Sequence, residues 1–160
     1  MASDIFSFTW EGIEEFADLL DEMVDGMDEI IEDEYTKFGL LVEEGARALA
    51  PRDLGDLTDS IASEGASVSK SEITVEITVG SEYGIYQHEL EPRPGSHPKY
   101  DRGAKLPDYY QNGRGLKTRG KPGWRGEQAG RKYLERAVQL TEKDFDEMNE
   151  RALERIMEGK

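Results

Sequence analysis

The stretch from Ala46 to Ile61, ARALAPRDLGDLTDSI, decides how the rest of the chain is read. Pro51 cannot donate a backbone hydrogen bond and disfavours the helical region for Ala50 before it, so a helix arriving from the N-terminal side ends here. Asp53 and Gly55 supply turn chemistry, and Leu54, Leu57 and Ile61 offer apolar side chains to hold a corner against a core. A helix end, a tight corner and a return into sheet are expected in quick succession. Leu57 to Ala62 reads as one further helical turn or as the start of a strand.

Upstream, Ile13, Phe16, Leu20, Met23, Val24, Met27, Ile30, Ile31, Phe38, Leu41, Val42 and Leu49 recur in steps of three and four, which predicts an amphipathic helix over 11–49. That is long for one helix, and Gly26 and Gly39 are the positions for a break or kink. Its Met and aromatic stripe reads as core. Gly45, Ala46, Ala48 and Ala50 give it a small-residue end that admits close packing. Residues 1–10 alternate apolar side chains at Phe6, Phe8 and Trp10, which suits a short edge strand or an arm docked on a neighbour.

Downstream, Ala66 and Val68 form a weak alternation, Lys70 and Ser71 a turn, and Ile73, Val75, Ile77 and Val79 a clean one, the pattern of an antiparallel hairpin with one buried face. Gly80 ends it, and Tyr83 to Leu90 returns across the sheet as a short helix or strand. Residues 91–126 hold five of the six prolines and seven of the seventeen glycines, an extended insertion loop. Helical spacing resumes over Glu127 to Met157, with apolar positions from Leu134 to Ile156, as one C-terminal helix, with Gly159 placed to cap it. The expectation is a single α+β domain over 1–160: long N-terminal and C-terminal helices packed on a small antiparallel sheet, with a Gly/Pro-rich basic loop inserted before the last helix.

The absence of cysteine excludes disulfides and thiolate metal sites. Apolar runs fall short of the ~20 residues of a membrane span, and Met1 to Asp4 lacks a signal-peptide pattern, so a soluble protein made in the cytoplasm is expected. The net charge of −15 opposes nucleic-acid binding by the whole surface. That charge is uneven: 11–34 carries twelve acids and no Lys or Arg, whereas 91–127 carries nine Lys or Arg against four acids. A solvated face, a high-salt host and head-to-tail self-association are all compatible with this pattern.

Catalytic motifs fail on inspection. Gly115 to Lys121 begins like a phosphate loop, but Pro122 stands where a hydroxyl is required and no strand precedes it. His88-Glu89 lacks a second histidine four residues on, where Pro92 stands, and His97 adds little; a surface or interface histidine is the expected role of His88. The loop interleaves Arg93, Lys99, Arg102, Lys105 and Arg114 with Tyr100, Tyr109 and Tyr110. Lys117, Arg119, Lys121, Trp124 and Arg125 continue that mixture, which suits contact with a neighbouring protein or, alternatively, with nucleic acid.

The ordered series ALAPRDLGDLTDSI, ITVEITVGSEYGIYQHEL and RKYLERAV resembles the tail-completion or head–tail joining family of lambda-like tailed bacteriophages. The residues that carry the resemblance are Ala50-Pro51, Asp53, Gly55, Leu57, Ser60-Ile61, Val79-Gly80, Tyr83 and Tyr86. After the second tyrosine this chain reads QHEL and then the basic insertion, where the family has Glu-Phe-Gly-Thr and a short link. The resemblance implies a structural virion protein without catalytic activity, cofactor or metal. It implies a homo-oligomeric ring, expected as a hexamer, in the neck between head connector and tail tube. Its partners would be other neck and tail-tube proteins, with packaged DNA near the basic loop, and no membrane. The alternative expectation is a nucleic-acid-binding accessory protein acting through 91–126.

Overall fold

A computed structural model describes residues 4–8, 26–52, 55–70, 72–89 and 116–158. Strand β1 (Asp4–Phe8) precedes helix α1 (Met27–Leu49) and the single turn α2 (Asp56–Asp59). Strands β2 (Ile61–Val68) and β3 (Ile73–Val79) follow, then α3 (Gly84–Glu89), α4 (Leu116–Arg119), α5 (Tyr133–Leu140) and α6 (Glu142–Glu158). The fold is α+β.

The hydrophobic alternation of β3 sets the geometry. Ile73, Val75, Ile77 and Val79 are all buried, the signature of a strand with one face on a core. The sheet is antiparallel in the order β1-β3-β2, so this most regular strand is the central one. The first residues of the chain thus form an edge strand of the chain's own sheet, with Phe6 opposite Ile77 and Phe8 opposite Val75. In β2 the register shifts between Ser63 and Ala66 at Gly65, whose φ of 83° supplies the left-handed residue of a bulge.

Helix α1 lies between the sheet on one side and α5 and α6 on the other. Ile31, Tyr35, Phe38, Val42, Ala46 and Leu49 are buried along it. At Gly39 the helix meets the sheet: a Cβ there would stand 2.6 Å from both Ser63 Oγ and Val75 Cγ1. Gly39 is therefore no kink but a close approach inside a continuous helix. The break falls at Gly26, left-handed at φ 108° and the residue before the first helical turn. The expected helical segment N-terminal to it lies outside the described residues. On the far side Tyr35, Phe38 and Phe145 meet edge-on, at centroid separations of 6.0 and 5.4 Å.

The C-terminal helix differs from its expectation. It is two helices, interrupted at Thr141, which is fully buried and whose hydroxyl donates to Ala137 O at 2.9 Å. Thr141 ends α5 with its own N–H on Val138 O, and Thr141 O then accepts Phe145 N–H in α6. A continuous apolar period hides this bend because both helices bury the same stripe. The stretch after the corner satisfies both of its readings: Asp56–Asp59 is helical and β2 starts at Ile61.

Candidate assembly surface

The last turn of α1 leaves carbonyls with no partner inside the helix, and Lys121 and Gly130 supply donors there, while Thr118 holds Arg52 just beyond. Lys121 Nζ donates to Arg47 O at 2.6 Å and to Ala50 O at 2.8 Å. Gly130 N–H donates to Leu49 O at 2.8 Å. Thr118 Oγ1 accepts Arg52 N–H at 2.9 Å and lies 3.3 Å from Arg52 O. Burial, with the Arg52 charge as a second cause, holds the Lys121 ammonium below its usual range. Its positive charge at a helix C-terminus nevertheless complements the dipole there.

The corner itself is closed by short hydrogen bonds. Gly55 stands left-handed at φ 110° ahead of α2, and Ser60 caps the turn with its N–H on Asp56 O and its hydroxyl on Leu57 O at 2.7 Å. Gly80 N–H reaches Ser60 O at 3.0 Å, tying the end of β3 to the start of β2. Ile61 is fully buried, and Leu57 packs on the core from a half-buried position. Arg47 Nε donates to Ile61 O at 2.8 Å and pairs with Glu43, which accepts Ser63 N–H. With Thr36 accepting Ala66 N–H, α1 side chains occupy polar backbone groups all along β2.

The cationic residues singled out in the sequence divide into groups. Arg93, Lys99, Tyr100, Arg102, Lys105, Tyr109, Tyr110 and Arg114 lie outside the described residues, as does Asp53 of the corner motif. Lys117 is exposed on α4, which Arg119 ends. Lys121, Trp124 and Arg125 are turned onto the chain's own fold. Trp124 covers Gly45, where a Cβ would come within 2.6 Å of the indole, so the small-residue end of α1 receives a tryptophan. The Arg125 guanidinium lies over the Trp124 ring at 4.6 Å and forms a forked pair with Asp144, one arm at 2.9 Å. Asp144 is held below the usual carboxylate range by Arg125, which is itself raised by that pairing.

His88 corrects its expectation: it is only 5% exposed. Its ring stands edge-on to Tyr133 with centroids 5.1 Å apart, and Nδ1 is 2.7 Å from Glu89 Oε1. The burial follows from α3 resting on the start of α5, where Tyr133 donates to Gly84 O and His88 O accepts Lys132 N–H. Glu89 and Lys132 join in a forked pair at 2.7 and 2.6 Å; Lys132, with His88 second, lowers the carboxyl, and Glu89 raises the ammonium. Beyond this anchor Tyr83, in the turn before α3, and Ile85 and Tyr86 on α3 face solvent, at 67%, 43% and 51% exposure.

A polar depression of about 370 Å³ is lined by residues 126–131 and Arg136, but Arg136 is engaged with Glu127, Arg131 O and Gln128 O. Among the described residues no group of three His, Asp or Glu side chains is arranged to hold a metal, and no helix is long and apolar enough to cross a membrane. The sequence reading missed two features. Lys121 as a cap could not be seen because it acts across 71 residues. The buried Glu34, held by Arg155 at 2.6 Å and Arg151 at 3.5 Å, was one acid among many in an acidic run.

Comparison with family models, with curated proteins and with solved structures finds no match to this chain.

Proposed function

We propose that this protein is a structural component of a tailed-virus particle, a ring-forming neck or tail-completion protein that acts by assembly rather than catalysis. One observation carries the reading. The motif residues Ala50-Pro51, Gly55, Leu57 and Ser60-Ile61 form the corner itself, and Val79-Gly80 at the end of β3 returns to it through the Gly80–Ser60 hydrogen bond, as the resemblance implies. The corner is scaffold, and the functional surfaces we assign are the exposed face of α3 and the exposed Lys117 of α4. Protein composition of purified virions tests the proposal, and absence of the chain from mature particles would contradict it.

The exposed cations Arg52 and Lys117, with Lys121 beside Arg52, favour a second reading as a nucleic-acid-binding accessory protein. Charge reversal of Arg52 and Lys117 in the full-length chain discriminates. Loss of salt-dependent DNA binding by that variant supports the second reading.

A further inference from the structure

We infer that the outer edge of β1 is a docking site for one extended segment of a partner protein, which adds a fourth strand to the sheet and carries Lys or Arg on its outer face. Such a contact is independent of the ring reading, because it concerns what the chain receives rather than how its copies associate. The two edges of the sheet differ. Gly80 N–H bonds to Ser60 O and Ser69 N–H to Glu72 O, so the even-numbered residues of β3 turn their backbone groups towards β2 and the odd-numbered ones towards β1. In β2 the groups pointing outward include Ile61 O, Ser63 N–H and Ala66 N–H, and α1 occupies all three with Arg47 Nε, Glu43 and Thr36. The bulge at Gly65 breaks up that edge further.

At the other edge Asp4, Phe6 and Phe8 stand opposite Val79, Ile77 and Val75 and spend their backbone groups on β3. The N–H and C=O of Ile5 and Ser7 therefore point away from the sheet, and nothing among the described residues bonds to them. The strand DIFSF pairs in unbroken register, with no bulge, proline or lysine to blunt it. An open edge of this kind accepts an extended peptide by main-chain hydrogen bonds. Charge selects the occupant. The three strands together carry Asp4, Glu64 and Glu76 and no Lys or Arg. Glu64 accepts the Thr78 hydroxyl at 3.0 Å, which places it on the sheet face away from α1, and Glu76, two residues from Thr78, shares that face. Neither carboxylate has an ion pair among the described residues. A second copy pairing edge to edge would bring the same carboxylates and no cation. A segment with Lys or Arg on that face meets them: it lies two strand spacings from Glu76, about 9–10 Å, which a long cationic side chain crossing the Ser7 position spans. Its alternate residues fall on the face of the buried Val75 and Ile77 and are apolar.

The test uses the full-length chain and a synthetic probe, a short alternating Val-Lys peptide, followed by fluorescence anisotropy. One control is the same peptide N-methylated at alternate residues, which keeps the charge and cannot pair as a strand; the other is a Val-Glu peptide. Ser7→Pro removes an N–H that β3 does not use and obstructs the edge, so the fold should persist by circular dichroism. Affinity for the Val-Lys peptide should fall about tenfold or more, the worth of one or two hydrogen bonds. Glu76→Lys should weaken the Val-Lys peptide and strengthen the Val-Glu one. A Val-Lys peptide that fails to bind, equal binding of its N-methylated form, or indifference to Ser7→Pro overturns the inference. Wild-type self-association that Ser7→Pro abolishes also overturns it and assigns the edge to a second copy. Should Ser7→Pro unfold the chain, the N-methylated peptide and Glu76→Lys decide in its place.

Discussion

Replacing Lys121 with methionine keeps the aliphatic stem and removes both donors to the end of α1. Two carbonyls, Arg47 O and Ala50 O, then lose charge-assisted hydrogen bonds of 2.6 and 2.8 Å. Hydrogen bonds to charged groups contribute about 1.5–3 kcal/mol, and a cation at a helix C-terminus adds about 0.3–1 kcal/mol. Two effects oppose this: the ammonium is partly desolvated, with Arg52 repelling it, and water can reach the vacated carbonyls. A net loss of about 1–3 kcal/mol follows. For a chain of this length each kcal/mol lowers Tm by about 2–4 °C, so a fall of about 2–12 °C is expected, with an unchanged urea m-value because the exposed surface is the same. Lys121→Arg retains charge and donors and should lose less than half as much. A Lys121→Met loss below about 0.5 kcal/mol would refute the reasoning, since the corner carbonyls would then be satisfied by something other than this side chain.

Three further outcomes follow from the packing and the charges. Gly39→Ala gains about 1 kcal/mol of helix propensity but forces a methyl to 2.6 Å from Ser63 and Val75, an overpacking cost of about 1–3 kcal/mol, so urea unfolding should show little change or a loss, and a full kcal/mol of stabilisation would contradict the close approach. Tyr35, whose hydroxyl donates to Asn149, has its pKa pushed up to about 12 by burial; because the folded value is the higher one, its contribution is complete below the ordinary value near 10 and is lost as pH rises towards 12. Phenolate absorbance should therefore show Tyr35 ionising late, and Tyr35→Phe should diminish the late phase. Asp144, depressed by Arg125, contributes stability above the ordinary carboxylate range and loses it as pH falls through its lower folded value. Asp144→Asn should accordingly be destabilising at pH 7 and indistinguishable from the parent in acid, as followed by circular dichroism.

Much of the fold was legible because it rests on local rules. Pro51 stops α1 within a residue of where it ends, and the alternation at Ile73 to Val79 is the central strand. The bend at Thr141 was not legible, because a buried threonine that bonds back to Ala137 leaves the apolar period intact. His88 was misread because its burial depends on Tyr133, far along the chain, and ring contacts across that separation leave no local signal. The basic stretch shows the same limit. Its composition suggested an external contact throughout, yet Lys121, Trp124 and Arg125 complete the end of α1 and the flank of α6. Composition gives the sign of a segment, and only the fold decides which of its charges are spent internally.

Electron microscopy of the purified full-length chain tests the central claim most directly. The account predicts closed rings of uniform subunit number. Particles that are monomeric, or that pair only as closed two-fold dimers, would contradict it.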